Sequence, residues 1–199
     1  DHESSASCPW TDGFACNISD VVDTYVIVGP VCVAEGTMIM TERGEVAVEN
    51  VLKSDRVISY DFKMADFGSF KIENFFMSKS SENIKITTDF GNEILCTKDH
   101  PFISWKNPDT VTVAKDILPG DPIYICKDGM LASDTVSSIG FVSDEKRVYN
   151  FTIEKVNSYI ANGILSHNAL MTNPNTVGTF EPLIVKRPPP NEKVLDLVT

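Results

Sequence analysis

The sequence predicts an all-β domain, and three observations carry that prediction. Short runs of apolar and β-branched residues follow one another from 37 to 161, separated by turn residues. Helical periodicity is confined to single turns near 49–53 and 114–118. A pattern of strand, one-turn helix, polar turn and strand occurs twice, from Val46 to Ile58 and from Val111 to Ile123. The echo suggests a duplicated β unit with pseudo-two-fold symmetry, with chance similarity among short strands as the alternative.

Taken in order, residues 1–19 are rich in Ser, Asp and Cys, show no period and read as irregular. The run 24–28 is strand-like and stops at Gly29-Pro30. Cys32 then opens an apolar run that meets a turn at Gly36. The expected strands beyond it are 37–41, 45–48, 56–61, 70–79, 84–88, 93–97, 101–105, 110–113, 122–126, 136–143, 147–154 and 158–161. Glu42-Arg43-Gly44, Asp89-Phe90-Gly91-Asn92, Asp128-Gly129 and Asn162-Gly163 supply turns of the types that reverse a chain between strands. Past Asn168 the Pro-rich composition of Arg187-Pro188-Pro189-Pro190 favours extended chain around the apolar run Leu183-Ile184-Val185. That segment reads as a flank that leans on something else, not as a second domain.

Composition narrows the function. At 199 residues and 42% hydrophobic content, one main domain with a real core is expected. A net charge of -11 leaves no electrostatic footprint for nucleic acid or an anionic membrane. No apolar run approaches the length of a membrane span. The 5 cysteines form no dense framework, which favours a reducing, cytoplasmic compartment, although Cys8 and Cys16 could pair with each other. A start at Asp1 rather than Met indicates a fragment or processed product.

Three places carry reactive side chains. Cys32 sits where its sulfur can attack the preceding carbonyl, that of Val31, although a Cys opening a strand also reads as a buried, inert thiol. The stretch Cys96-Thr97-Lys98-Asp99-His100 follows a strand and can aim Thr97 and His100 at one point, or His100 can be a structural hydrogen-bonder. The stretch Asn162-Gly163-Ile164-Leu165-Ser166-His167-Asn168-Ala169 ends in a His-Asn pair. An Asn side-chain nitrogen can attack its own backbone carbonyl, closing a succinimide and expelling the next residue as an amine. A neighbouring His can polarise that carbonyl or protonate the leaving nitrogen, and an ordinary value near 6.5 lets it do so around neutral pH.

Together Cys32, Thr97-x-x-His100 and the terminal His167-Asn168 resemble the motif set of the Hint superfamily, the inteins and Hedgehog-type autoprocessing domains. Val148-Tyr149-Asn150-Phe151 and the run from Tyr159 to Asn168 look like its C-terminal blocks. The resemblance covers 32–168, the size of a mini-intein without a homing endonuclease, and leaves 1–31 and 169–199 as extein-like flanks. It implies an all-β Hint fold, a pseudo-two-fold horseshoe of many short strands. It also implies an N-to-S acyl shift at Val31-Cys32, with His100 as proton donor and Thr97 stabilising the tetrahedral intermediate, and cyclisation of Asn168 assisted by His167. Asp99, Asn150 and Asn157 would stand in support. Every reacting group is then in the chain, so neither metal nor organic cofactor is called for, and the substrate is the chain's own flanks.

The departures from the pattern matter. Ala169 follows the terminal Asn, where standard splicing needs Cys, Ser or Thr to accept the acyl group. Asn150 stands where many inteins carry Asp, and Asn157 where many carry His. This combination looks most like the bacterial intein-like domains, in which cleavage at either end is expected and ligation would use a released amine. Two function classes share these residues: a domain that cuts and can splice its host, and a slow or inert Hint-fold module whose flanks do the work.

Overall fold

The computed structural model describes residues 31–168 together with two short flank strands. Cys8, Cys16 and Ala169 lie outside the described residues. The flank strands, β1 (Thr24–Val26) and β16 (Ile184–Lys186), pair antiparallel with each other.

Between them the chain runs through β2 (Val33–Ala34), β3 (Met38–Thr41), β4 (Gly44–Ala47), β5 (Arg56–Asp61), β6 (Asp66–Ser80), β7 (Asn83–Thr88) and β8 (Glu93–Thr97). It continues through β9 (Pro101–Ile103), β10 (Val111–Val113), β11 (Pro122–Lys127), β12 (Met130–Val142), β13 (Lys146–Ile153), β14 (Ser158–Ala161) and β15 (Ile164–His167). Among the described residues helical structure is limited to single 3-10 turns at Val48–Asn50 and Ala114–Asp116, where the sequence placed its only helix-like pieces.

The strands form one antiparallel circuit. The order is β10-β9-β15-β11-β12-β7-β8-β2-β13-β6-β5-β3-β14, with β4 on β3, and β14 pairs β15 to close the path. Two long strands make the closure possible by changing partners along their length. β6 pairs β5 over Asp66–Lys71 and β13 from Ile72 onward. β12 pairs β11 over Met130–Thr135 and β7 from Val136 onward, with an irregularity between Val136 and Ser138. A strand that bends between two sheets needs such a break in register.

The internal echo is reproduced in hydrogen bonds. Val51 N–H donates to the Val48 carbonyl and Ile117 N–H to the Ala114 carbonyl, both at 3.3 Å. The carboxylates of Asp55 and Asp121 accept from Leu52 N–H and Leu118 N–H, both at 2.8 Å. An Asp five residues past each 3-10 turn holds the loop in its copy.

The core is built from β-branched residues on inward positions, Ile39, Val57, Ile84, Ile86, Ile94 and Ile164 among them, all within 1% of full burial. Each such side chain contributes roughly 1.5–3 kcal/mol on leaving water. From Ile84 to Thr88, β7 alternates buried with less buried positions, whereas β14 is buried throughout, so both of its faces are covered.

Two sequence expectations need correction. The strands expected at 70–79 and 136–143 begin earlier, at Asp66 and Met130. Asp66, Gly68 and Ser69 have poor strand propensity, but pairing with β5 overrides it. The run 164–167, read only as an apolar segment after a turn, is strand β15.

Candidate active site

Cys32 reaches the site because β2 lies beside β8, with Val33 opposite Cys96. Val31 and Cys32 are 2% and 1% exposed, so the peptide bond between them is out of water. Thr97 clasps Cys32 from both sides. Its hydroxyl accepts the Cys32 N–H at 3.0 Å and lies 3.4 Å from the Cys32 carbonyl, which also accepts the Thr97 N–H at 2.9 Å. The Thr97 hydroxyl therefore meets the nitrogen of the Val31-Cys32 bond, not the oxygen side where an oxyanion would form.

His100 follows in a tight turn, its N–H donating to the Thr97 carbonyl at 3.0 Å and its own carbonyl accepting from Ala114 at 2.9 Å. The imidazole is fully buried and sits edge-on to Phe102 with ring centroids 5.0 Å apart. Burial, and after it the neighbouring His167, push its pKa down from 6.5 to about 3, while the nearby Val31 carbonyl favours the protonated form. Among the described residues neither ring nitrogen has a hydrogen bond of ordinary geometry. At neutral pH His100 is thus an uncharged imidazole beside the Val31 carbonyl. The Cys32 thiol is pushed up to about 12 by burial and is equally neutral.

The downstream residues arrive on the β14–β15 hairpin, where Ser158 lies opposite His167. Ser166 of β15 pairs Phe102 of β9, which sets the end of β15 beside the turn carrying His100. The Asn168 N–H donates to the Asn157 carbonyl at 2.9 Å. His167 Nδ1 lies 2.6 Å from the Asn168 carbonyl oxygen, the carbonyl that the Asn168 side chain would attack. Asn168 is fully buried, and neither atom of its side-chain amide has a partner among the described residues. Burial lowers His167 from 6.5 to about 4, against the Asn168 carbonyl, which raises it. The side chain is only part-buried by its exposure, and with its value lowered the ring is neutral near pH 7, where its Nδ1–H can donate to the carbonyl. A cavity of about 470 Å³ lined by Tyr60, Phe62, Ile103, Asn157 and His167 opens beside this junction.

The supporting residues do different work. The Asp99 carboxylate takes the Lys115 ammonium at 2.6 Å and braces the turn after β10 rather than facing the junctions. Asn150 is fully buried, its Oδ1 accepting the Phe151 N–H at 2.9 Å and its Nδ2 unpartnered. Asn157 contributes its backbone carbonyl. Tyr159, which the sequence offers only as the first residue of a C-terminal block, is fully buried with a hydroxyl that has no partner among the described residues. A Tyr in an otherwise apolar buried run is the signal that could have found it, because a buried phenol ordinarily has a partner.

Comparisons with known proteins bear on the family and the fold. Residues 38–170 match the family described as the Pretoxin HINT domain. An uncharacterised protein of Methanocaldococcus jannaschii is 35% identical over 83 residues, and the match spans only 12% of that relative's length. The Ssp DnaB mini-intein variant M86 superposes with a TM-score of 0.66 at 14% identity, over 74% of this chain and 99% of that one. The bacterial intein-like domain from Clostridium thermocellum superposes with a TM-score of 0.60 at 24% identity, over 70% of this chain and 100% of that one. These likenesses establish the shared fold. With a family match over more than half its length and an intein-like closed β circuit, the chain belongs to the Pretoxin HINT domain family of the Hint superfamily.

Proposed function

We propose that residues 32–168 form a self-processing domain that acts on its own flanks, opening the Val31-Cys32 bond through a thioester and the Asn168-Ala169 bond through Asn cyclisation. The observation that carries this reading is the 2.6 Å contact of His167 Nδ1 with the Asn168 carbonyl, made beside a buried and unpartnered Asn168 amide. A carbonyl already held by a donor is more electrophilic, and the buried Asn168 amide has no described partner to give up before it attacks.

Upstream, the Cys32 sulfur bonds to the Val31 carbonyl carbon and the C–N bond breaks. The thiol proton ends on the Cys32 nitrogen, which becomes a free amine. Neutral His100, beside the Val31 carbonyl, is in the right state to take the thiol proton first and return it to nitrogen. Thr97, already bonded to that nitrogen, orients its lone pair as the amide loses planarity. Downstream, Asn168 Nδ2 bonds to the Asn168 carbonyl carbon, the bond from that carbon to the Ala169 nitrogen breaks, and the proton that Nδ2 loses ends on that nitrogen. The pretoxin description supports a precursor from which a flank is released.

A slow or inert domain is the second reading, favoured by the resting electrostatics: a thiol near 12 and an imidazole near 3 hold almost no thiolate or imidazolium at neutral pH. Mass spectrometry of freshly purified wild type, Cys32→Ala and Asn168→Ala separates the two. Self-processing yields fragments ending at 31 and 168 that each variant selectively loses. An intact wild type, stable for days in the presence of thiol, would sink it.

A further inference from the structure

We propose that the cavity beside the downstream junction is the seat of the segment that leaves, residues 169–171, with Met171 as its anchor. The inference rests on the self-processing reading above and adds what that reaction grips beyond the scissile bond. The cavity holds about 470 Å³, and both groups that hold the Asn168 backbone line it. The Asn157 carbonyl accepts the Asn168 N–H at 2.9 Å, and His167 Nδ1 lies 2.6 Å from the Asn168 carbonyl oxygen. The chain beyond Asn168 therefore starts at the cavity wall.

The chemistry of that wall selects the occupant. Tyr60 and Phe62 stand edge-on with ring centroids 5.0 Å apart, and Phe62 is braced in turn by Tyr124 at 5.4 Å. Ile103 and Val156 extend the apolar surface. Among the described lining residues the carboxylates of Asp61 and Asp109 are matched by the ammonium groups of Lys63 and Lys155, so neither an anion nor a cation is favoured. The sequence after Asn168 supplies an uncharged apolar run, Ala169-Leu170-Met171, before it turns polar at Thr172-Asn173. Alternate side chains of an extended chain share a face, which would set Ala169 and Met171 on the side of His167 and Leu170 on the other. Ala169 is small enough to pass the His167 ring, and a Met thioether suits an aromatic wall.

Seating Met171 leaves the bond changes of the cut as they are. It fixes the Ala169 nitrogen while Asn168 Nδ2 closes on the carbonyl carbon, so a contact made away from the scissile bond goes into orienting it. Met171 is in this sense a positioning residue.

The test is a double-mutant cycle on the full chain, with intact mass followed over time. Met171→Asp should slow release of 169–199 by about tenfold or more, as misplacement of a reacting group does. Met171→Leu should stay close to wild type, and neither change should alter release of 1–31 or the thermal midpoint. Phe62→Ala and Met171→Ala should each slow release of 169–199, and together no more than the stronger of the two, because both remove one contact. Equal release from Met171→Asp and wild type overturns the inference and leaves self-processing intact. A double variant slowed by the product of the single effects also overturns it, since Met171 then acts elsewhere. Should Phe62→Ala fail to fold, Met171→Asp against Met171→Leu decides alone. Wild type that releases 169–199 no faster than Asn168→Ala overturns the self-processing reading and this inference with it.

Discussion

At the residue scale the two histidines set a pH dependence whose sign can be worked out. Both are depressed in the folded chain, to about 3 for His100 and about 4 for His167, below an ordinary value of 6.5. As pH falls below 6.5 the unfolded chain takes up protons that the folded chain refuses, so stability is full above that value and is lost on acidification toward the folded values. Thermal unfolding followed from pH 8 to pH 4 should show the midpoint falling below about 6.5, and His100→Gln should flatten that fall. An identical slope in the variant would mean that His100 is not the buried group that resists protonation. The rate of release of 169–199 should show no inflection near 6.5, since His167 remains neutral until about pH 4.

Thr97 gives a second residue-scale prediction. Thr97→Val keeps the shape but leaves the Cys32 N–H without its acceptor. Thiol-induced release of 1–31 should drop on the order of 10²-fold, with stability lower by about 1–3 kcal/mol from the orphaned buried donor. Unchanged release kinetics would remove Thr97 from the reaction. Cys32, Thr97, His100, His167 and Asn168 could be picked out of the sequence as candidates because each stands at a turn or strand end with reactive chemistry. Which atom each one meets was not. The contact of Thr97 with the nitrogen rather than the oxygen of the Val31-Cys32 bond follows from the β2–β8 register, a pairing between segments far apart in sequence.

At the element scale the β14–β15 hairpin aims the downstream residues, and its turn is pinned from outside. Asn162 and Gly163 both have positive φ, 47° and 77°, the pattern of a two-residue hairpin turn. Asn162 Oδ1 accepts the Met38 N–H at 2.7 Å, its Nδ2 donates to the Glu93 carbonyl at 2.8 Å, and its carbonyl takes Asn92 Nδ2 at 3.0 Å. A Cβ on Gly163 would come within 2.5 Å of Asn92 Nδ2. Gly163→Ala should therefore cost about 1–3 kcal/mol, from the unfavourable φ and from displacing Asn92. Urea unfolding measures that cost directly, and a loss below about 0.5 kcal/mol would mean that the turn is not held as described. The turn itself was plain in the Asn-Gly dipeptide. Its anchors were not, because Met38, Asn92 and Glu93 meet it only after β3, β7 and β8 have closed around the hairpin.

At the scale of the whole molecule the closed circuit explains how both ends of residues 32–168 come to one turn. β2 and β15 each lie next to a strand that flanks His100, β8 on one side and β9 on the other. The short strands and the echo were readable, yet the closure through β14 and β15 was not, since it depends on β6 and β12 changing partners midway. A common location does not make the two reactions obligatorily sequential. In the resting chain the Asn168 carbonyl is already held by His167, and no group of Cys32 takes part in that contact. The residue after Asn168 is Ala169, which has no nucleophile to carry an acyl group from the upstream junction. Cys32→Ala should therefore still release 169–199, leaving a succinimide or its hydrolysis product at residue 168. Asn168→Ala should abolish that release and leave thiol-induced release of 1–31 in place. Intact mass measured over time for both variants reads each junction separately. If Cys32→Ala blocks the downstream cut as completely as Asn168→Ala does, then thioester formation must change the geometry around His167, and His100, which bears on both the Val31 carbonyl and His167, is the residue through which that change would pass.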